Sequence, residues 1–339
     1  MGRLKKWLSK KVTKSFWAPR LLILNRLKKY RGIAVALSKN IKLVEVGLRD
    51  GLQNEKVILS VAQKVELGKR LISAGVQRIE TGAFVRYDKI PQMQGTDEVL
   101  TQLYNWNKKA HYSVLVPNER GMLEALKYKP SEVAVFAGCS ESFSQRNINC
   151  SIEESFERFK PVFALAKKNK IKVRGYLSMC FGCPFEGDVS EKVVVDMAYR
   201  LYKMGAFEVS VGDTIGVAHV GQVQSIFRKL KKKIPTKALA GHFHDTRGQA
   251  LANILAAYNE GIYIFDSSIG GLGGCPYAPA ATGNVATEDV LYMFQKMGVK
   301  TGIDLKKILA IAPWLKQQMG KDLPSKVGNV GLLRPQPIL

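Results

Sequence analysis

The chain has 339 residues, of which 46% are hydrophobic and 24% are charged. These proportions are typical of a soluble globular enzyme and exclude wholesale disorder. No apolar run approaches the roughly 20 residues of a membrane-spanning helix, and the five cysteines form an odd number that does not suit a disulfide framework. We therefore expect a soluble protein of a reducing compartment, which is the cytoplasm in a bacterium or the mitochondrial matrix in a eukaryote.

The formal net charge of +24 is unevenly distributed. Residues 1–40 contain 12 lysines and arginines and no acidic residue, whereas the rest of the chain has 40 basic and 28 acidic residues. A basic body suits an anionic ligand. The basic run Arg228–Lys233 contains no aromatic side chain on which a base could stack, so a solvated helix end explains it better. We expect no nucleic-acid partner.

The basic leader, residues 1–40, has three interpretations. It is acid-poor like a transit peptide, although its lysines outnumber its arginines eight to four, which weakens that interpretation. It could instead be a surface helix that makes peripheral contact with anionic lipid through Trp7, Phe16 and Trp17, or an extension without a role. We treat the leader as separate from the fold.

From residue 41 onward, short apolar runs rich in β-branched residues alternate with helical patterns. The predicted strands are KLVEVGL from Lys42, RIETGAF from Arg78, HYSVLVP from His111, EVAVFAG from Glu132, KVRGYLS from Lys172, FEVSVGD from Phe207, LAGHFHD from Leu239 and YIFDSSI from Tyr263. One helical stretch between them opens with Ser151 and Glu154, which form a capping box.

Eight strand–helix units predict an α/β fold of the (β/α)8 TIM-barrel type. An open doubly wound sheet is the rival, but it requires a GxGxxG loop after the first strand, and GLRDGLQNE does not match that pattern. We assign residues 41–302 to the barrel and residues 303–339 to a short C-terminal helical extension and tail.

Polar side chains collect at the predicted strand ends, where the active site of such a barrel lies. They are Arg49 and Asp50 after the first strand, Glu80 on the second, Asp213 at the end of the sixth, and His242 and His244 at the end of the seventh.

The two histidines of GHFHD indicate a metal site. In a strand, residues i and i+2 point to the same face, so His242 and His244 project together, and paired imidazoles favour a divalent metal. Asp50 would add a carboxylate from the strand that closes the barrel, and Asn284 would add an amide oxygen. Such a mixed nitrogen and oxygen set suits Mg²⁺ or Mn²⁺ better than closed structural zinc. The alternative is a pair of hydrogen-bonded histidines.

The other charged residues leave two interpretations each. Arg49 could stabilise a developing enolate beside the metal or form a salt bridge at the barrel rim. Glu80 and Asp213 could be acid–base groups or orient ligands, or either could be a structural partner of Arg174.

Cys275 lies within GGLGGCPYA, residues 270–278. A lone cysteine is usually a small buried hydrophobe, but the flanking glycines make a poor core position. A thiol on a flexible hinge can swing over a bound substrate and deliver a proton.

Five stretches together resemble the 3-hydroxy-3-methylglutaryl-CoA (HMG-CoA) lyase family, within the metal-dependent lyase and Claisen-condensing barrel superfamily. They are VEVGLRDGLQNEK, NINCSIEES, GDTIGV, GHFHDTRGQALAN and GLGGCPYAPAATGNVATEDV, and the resemblance runs from about residue 41 to residue 302. It implies cleavage of HMG-CoA to acetyl-CoA and acetoacetate. An acyl-CoA-dependent aldolase or a synthase that condenses acetyl-CoA with a 2-oxo acid is the alternative.

The resemblance also implies roles for particular residues. Asp50, His242, His244 and Asn284 match metal ligands, Arg49 matches the arginine that stabilises the enolate, and Cys275 matches the loop cysteine that protonates it. Glu80 and Asp213 match acidic catalytic residues, and we count His242 in the catalytic set as well. We expect an acyl-CoA substrate, a homodimer, and no transmembrane span.

Overall fold

The sheet is a closed barrel of eight parallel strands, in which each strand pairs with the next and the last pairs with the first. A computed structural model describes residues 38, 40–274 and 283–332. The strands are β1 (Lys42–Glu45), β2 (Arg78–Ala83), β3 (His111–Leu115), β4 (Glu132–Gly138), β5 (Lys172–Ser178), β6 (Glu208–Asp213), β7 (Leu239–Phe243) and β8 (Ile264–Ser267). The predicted (β/α)8 TIM barrel is confirmed.

Helices cover the outside of the barrel. In the described residues they are α1 (Val61–Ser73), α2 (Thr96–Trp106), α3 (Glu119–Leu126), α4 (Glu141–Ile148), α5 (Ile152–Lys168), α6 (Glu191–Lys203), α7 (Val220–Leu230), α8 (Ala250–Asn259), α9 (Thr287–Lys296), α10 (Leu305–Leu309), α11 (Ala312–Met319) and α12 (Lys326–Val330). The predicted capping box is present at the start of α5, where Ser151 accepts from the Glu154 backbone N–H and Glu154 accepts from that of Ser151. In the described part of the chain, three short helices follow residue 302.

The strands are buried on both faces, because the barrel interior lies on one side and the helices lie on the other. In β4 and β6 the valines Val133, Val135, Val209 and Val211 are all fully buried. Burial on both faces explains why these strands read as nearly continuous apolar runs in the sequence.

β1, β2, β3, β7 and β8 end earlier than their sequence patterns predict, and the ends of β1 and β7 shape the barrel mouth. β1 stops at Glu45, and residues Gly47–Gly51 form a π-helical turn. A Cβ atom at Gly51 would lie 2.6 Å from Ser268 Oγ, so glycine allows this turn to pack against the end of the barrel. β7 stops at Phe243, after which His244 forms an isolated antiparallel bridge with Asn284.

The basic run at the end of α7 is paired with acidic residues. Within Arg228–Lys233, four of the basic side chains form ion pairs with Glu191, Asp196 or Glu260. These pairs agree with a solvated helix end. None of the helices in the described ranges is long and apolar enough to span a bilayer.

Three sequence predictions concern residues outside the described ranges. They are the leader, apart from Ser38 and Asn40, the loop cysteine Cys275, and the tail from residue 333 onward.

Candidate active site

The ligand atoms of Asp50, His242 and His244 converge at the C-terminal mouth of the barrel, all within 4.8 Å of one another. The two Nε2 atoms are 3.1 Å apart, and Asp50 Oδ2 lies 3.8 Å from His242 Nε2 and 3.9 Å from His244 Nε2. The π-helical turn after β1 carries the aspartate, β7 carries His242, and His244 directly follows the end of β7. A carboxylate and two imidazole nitrogens that face one space fit a divalent cation.

Asn284 borders the same space. Its amide nitrogen donates to Asp50 Oδ2 at 2.8 Å and to the Leu272 carbonyl at 3.3 Å. A half-turn of the amide would present its oxygen instead. The backbone of Gly273 has a φ of +121°, and a Cβ there would lie 2.8 Å from Asn284 Nδ2, so only glycine suits this position.

Asp50, His242 and His244 form the donor group, and Arg49 links its carboxylate to that of Glu80. Its Nε donates to Glu80 Oε2 at 2.7 Å and its Nη1 donates to Asp50 Oδ1 at 2.6 Å. Burial alone would raise the pKa of Asp50, but the Arg49 guanidinium and the two histidines hold it well below its usual range. The arginine therefore keeps Asp50 ionised and holds a fixed positive charge at the barrel mouth.

Glu80 projects from β2 and is fully buried. Its Oε2 also accepts from the Tyr176 hydroxyl at 3.2 Å, whereas its Oε1 is buried without a hydrogen-bond partner among the described residues. Burial raises the pKa of Glu80, although the Arg49 guanidinium acts in the opposite direction. One carboxyl oxygen is thus free to hold a proton.

Asp213 ends β6 as predicted, but its carboxylate braces the loop that follows. Oδ1 accepts from the Val217 N–H at 2.9 Å and Oδ2 accepts from the Ala218 N–H at 3.0 Å. Burial raises the pKa of Asp213 overall, although these two backbone donors act in the opposite direction. Each oxygen keeps a second lone pair, so the carboxylate can still accept a proton.

His242 has a carboxylate partner on its far side, namely Asp266 on β8, whose Oδ2 lies 3.1 Å from His242 Nδ1. Burial lowers the pKa of His242, but this hydrogen bond and the charge of Asp50 outweigh burial and raise the pKa overall. Burial alone would raise the pKa of Asp266, but Arg174 and His242 lower it.

The structure corrects one structural alternative and adds residues that sequence reasoning missed. Arg174 pairs with Glu208 and Asp266 rather than with Glu80 or Asp213. Asp266 and Tyr176 were not predicted to belong to the site. An acidic residue inside the apolar strand YIFDSSI was a signal for Asp266, because a buried charge in a strand requires a partner.

Cys275 lies outside the described residues, but both ends of its loop are described. The Gly283 N–H donates to the Gly273 carbonyl at 2.9 Å, and Asn54 Nδ2 donates to the Gly274 carbonyl at 3.2 Å. The loop therefore starts and ends beside Asn284 and the donor group.

A donor set of this kind at the C-terminal mouth of a (β/α)8 barrel is typical of the class of metal-dependent barrel enzymes. The family follows from comparison with known proteins. Residues 40–314 match the family model described as HMGL-like, and the chain belongs to this family.

Relatives of known name cover most of the chain. The hydroxymethylglutaryl-CoA lyase of Pseudomonas mevalonii is 49% identical over 288 residues, which are 85% of this chain and 95% of the relative. The crystal structure of hydroxymethylglutaryl-CoA lyase from Pseudomonas aeruginosa matches with a TM-score of 0.84 at 48% identity, covering 87% of this chain and 98% of that one. An HMG-CoA lyase from Acinetobacter baumannii, solved in complex with coenzyme A and 3-methylmalate, matches with a TM-score of 0.84 at 35% identity, covering 89% of this chain and 100% of that one.

Proposed function

We propose that this chain is a carbon–carbon lyase that cleaves HMG-CoA to acetyl-CoA and acetoacetate. One observation carries the proposal: Asp50, His242 and His244 converge beside Arg49 at the barrel mouth, in a chain that is 49% identical to a hydroxymethylglutaryl-CoA lyase. The reaction is a retro-aldol cleavage, which requires loss of a proton from a tertiary hydroxyl and stabilisation of a thioester enolate.

The proposed metal ligands are Asp50, His242, His244 and, after a half-turn of its amide, Asn284. The mixed nitrogen and oxygen donors favour Mg²⁺ or Mn²⁺. When bound, such an ion would polarise the substrate hydroxyl and lower its pKa. Nε2 of His242 faces the donor group, and its Nδ1 faces Asp266. We propose that His242 serves both as a metal ligand and as a member of the catalytic set, and that Asp213 and Glu80 take part in the acid–base steps.

Arg49 is proposed to stabilise the enolate that forms when the carbon–carbon bond breaks. Its guanidinium is held in place by Glu80 and Asp50, with the Arg49 side chain only 8% exposed. A fixed and buried positive charge needs no reorganisation when negative charge develops, which makes it an effective stabiliser. Cys275 is proposed to protonate the resulting carbanion, from a loop whose ends lie beside Asn284.

An acyl-CoA thioester fits the charge of the chain. Beyond the leader, basic residues outnumber acidic ones 40 to 28, which favours an anionic ligand. The relative from Acinetobacter baumannii was solved with coenzyme A, which supports the same ligand class for this chain. We also propose a homodimer, which light scattering on the purified protein would test.

The test is an assay of both reaction types on the purified protein with Mg²⁺. We expect release of acetoacetate and acetyl-CoA from HMG-CoA, and no consumption of acetyl-CoA in the presence of a 2-oxo acid. Thiol release from acetyl-CoA with a 2-oxo acid, without cleavage of HMG-CoA, would instead identify a condensing synthase and contradict the proposal.

A further inference from the structure

We infer that Asp266 is a positioning residue for the metal centre, because it fixes the ring orientation and the tautomer of His242 so that Nε2 keeps its lone pair for the cation. The inference rests on the proposed metal site and goes beyond it, since Asp266 contacts His242 through Nδ1 and not through the Nε2 atom that would hold the cation.

Asp266 is placed for this role by strand register. His242 on β7 and Asp266 on β8 are paired residues, and Asp266 is 1% exposed. Its Oδ2 lies 3.1 Å from His242 Nδ1 and accepts from the Ser210 hydroxyl at 2.8 Å. An ionised carboxylate only accepts hydrogen bonds, so in the neutral ring His242 Nδ1 carries the proton and Nε2 keeps its lone pair.

A buried ion-pair chain keeps the Asp266 carboxylate ionised and in place. Arg174 donates to both of its oxygens, at 2.7 and 3.2 Å, and its Nε donates to Glu208 at 2.6 Å. Glu208 in turn pairs with Arg78, which also pairs with Glu132. The chain holds three carboxylates for two guanidiniums, so one negative charge is left over, and the carboxylate at its end faces His242.

His244 supplies an internal comparison. Its Nδ1 is buried without a hydrogen-bond partner in the described part of the chain, although the two rings are only 5.1 Å apart. Of the two histidines at the barrel mouth, only His242 therefore has a carboxylate partner at its Nδ1 atom among the described residues. The orientation of the His242 ring is fixed by Asp266.

The variant Asp266→Asn changes the hydrogen bond to His242 without changing the packing, because the two side chains have nearly the same shape. Arg174 donates to both Asp266 oxygens, and its shorter bond, at 2.7 Å, is to Oδ1. We therefore expect the amide oxygen to take the Oδ1 position and the amide N–H₂ to face His242. Such an amide would donate to Nδ1 and leave the proton on Nε2. The ring would then sit in the same place with the wrong tautomer for binding a metal.

The first measurement is the tautomer of the neutral His242 ring in the metal-free wild-type protein, taken at alkaline pH from two-bond ¹H–¹⁵N correlations after ¹⁵N-histidine labelling. The chain has only four histidines, and the other two, His111 and His219, are exposed and can be replaced by glutamine for assignment. We expect the Nδ1–H form for His242. An Nε2–H form in the wild type would overturn the inference without any variant, even if Asp266→Asn fails to fold.

The second measurement is the Kd for Mn²⁺, obtained from the electron paramagnetic resonance signal of the free ion. We expect Asp266→Asn to show the Nε2–H tautomer and a Kd weaker by about 10- to 100-fold, the usual effect of losing such a partner. Ser210→Ala is the matched control, because it removes a neutral hydrogen bond from the same oxygen and should leave both tautomer and Kd unchanged.

The outcomes separate the inference from the proposed function. A folded Asp266→Asn protein with the Nδ1–H tautomer and the wild-type Kd would overturn the role of Asp266. A wild-type protein that binds no Mn²⁺ would overturn the metal site itself, and therefore also the proposed function on which the inference rests.

Discussion

Arg49 connects the proposed metal ligand Asp50 to the proposed acid–base residue Glu80, and the shape of its side chain matters as well as its charge. The guanidinium donates from two different nitrogens to Glu80 and Asp50, which the single ammonium of a lysine cannot reproduce. We predict that Arg49→Lys lowers kcat for HMG-CoA cleavage by about 10²- to 10³-fold, the effect of losing a stabiliser of developing negative charge. Steady-state kinetics measure this loss. Arg86→Lys is the control, since Arg86 is 73% exposed. Wild-type kcat in Arg49→Lys would show that charge alone is sufficient.

Cys275 is the thiol with a proposed chemical role, and the structure sharpens its test. The other cysteines, Cys139, Cys150, Cys180 and Cys183, are all buried. We predict that iodoacetamide modifies Cys275 alone in the native protein and abolishes turnover, and that bound substrate slows the modification. Peptide mass spectrometry identifies the modified residue.

Replacement tests the same role without a reagent. Cys275→Ala should lower kcat by roughly 10²- to 10⁴-fold, the usual contribution of a general acid, with little change in the Kd for Mn²⁺. Near-normal turnover of this variant would rule out the thiol as the proton donor.

At the scale of elements, a buried carboxylate holds the turn that precedes the segment carrying Cys275. Glu288, in the first turn of α9, accepts from the Gly270 N–H through both oxygens, at 2.9 and 3.0 Å. Burial raises the pKa of Glu288 to about 8, above the usual value of 4.5, although the Gly270 N–H opposes this shift. The folded chain therefore keeps a proton that the unfolded chain releases near pH 4.5, so the stabilising effect is lost as the pH rises towards about 8.

We predict that the free energy of unfolding falls between pH 5 and pH 8 more steeply in the wild type than in Glu288→Gln, which cannot ionise. Each unit of pKa shift corresponds to about 1.4 kcal/mol. From pH 5 to pH 8, the free energy of unfolding should therefore fall further in the wild type than in the variant, by an amount on the order of a few kcal/mol. Urea denaturation at both pH values measures the difference. Parallel pH dependence in the two proteins would contradict the assignment.

The sequence predicted the order and number of the strands, because each short apolar run is buried on both faces and has to pair within a parallel sheet. It did not predict where β1 ends. VEVGL continues the apolar pattern after Glu45, and the π-helical turn there depends on the close approach of Gly51 to Ser268, which is distant in the sequence. Part of the candidate site could also be predicted from the sequence. The polar residues at strand ends were predicted, because the ends of all parallel strands meet at the barrel mouth. Asp266 was missed, because its contact with His242 depends on how β7 and β8 pair.

At the scale of the whole molecule, the leader is predicted to be dispensable for folding, with a boundary that the contacts define. The Ser38 carbonyl accepts from the Tyr258 hydroxyl at 2.7 Å, and Asn40 forms a bridge with Lys300. Deletion of residues 1–37 should leave Tm and kcat unchanged, whereas deletion of residues 1–40 removes both contacts and should lower Tm. Loss of activity in the shorter deletion would show that the leader belongs to the catalytic unit.

The central claim is that carbon–carbon cleavage depends on a cation held by Asp50, His242 and His244. The most direct measurement is the rate of acetoacetate release from HMG-CoA as Mn²⁺ is added back to protein stripped with a chelator. We predict no turnover in the stripped protein, a rise that saturates at one bound ion per chain, and neither tight binding nor turnover in His244→Asn. Full turnover in the stripped protein, or wild-type binding and turnover in His244→Asn, would contradict the account.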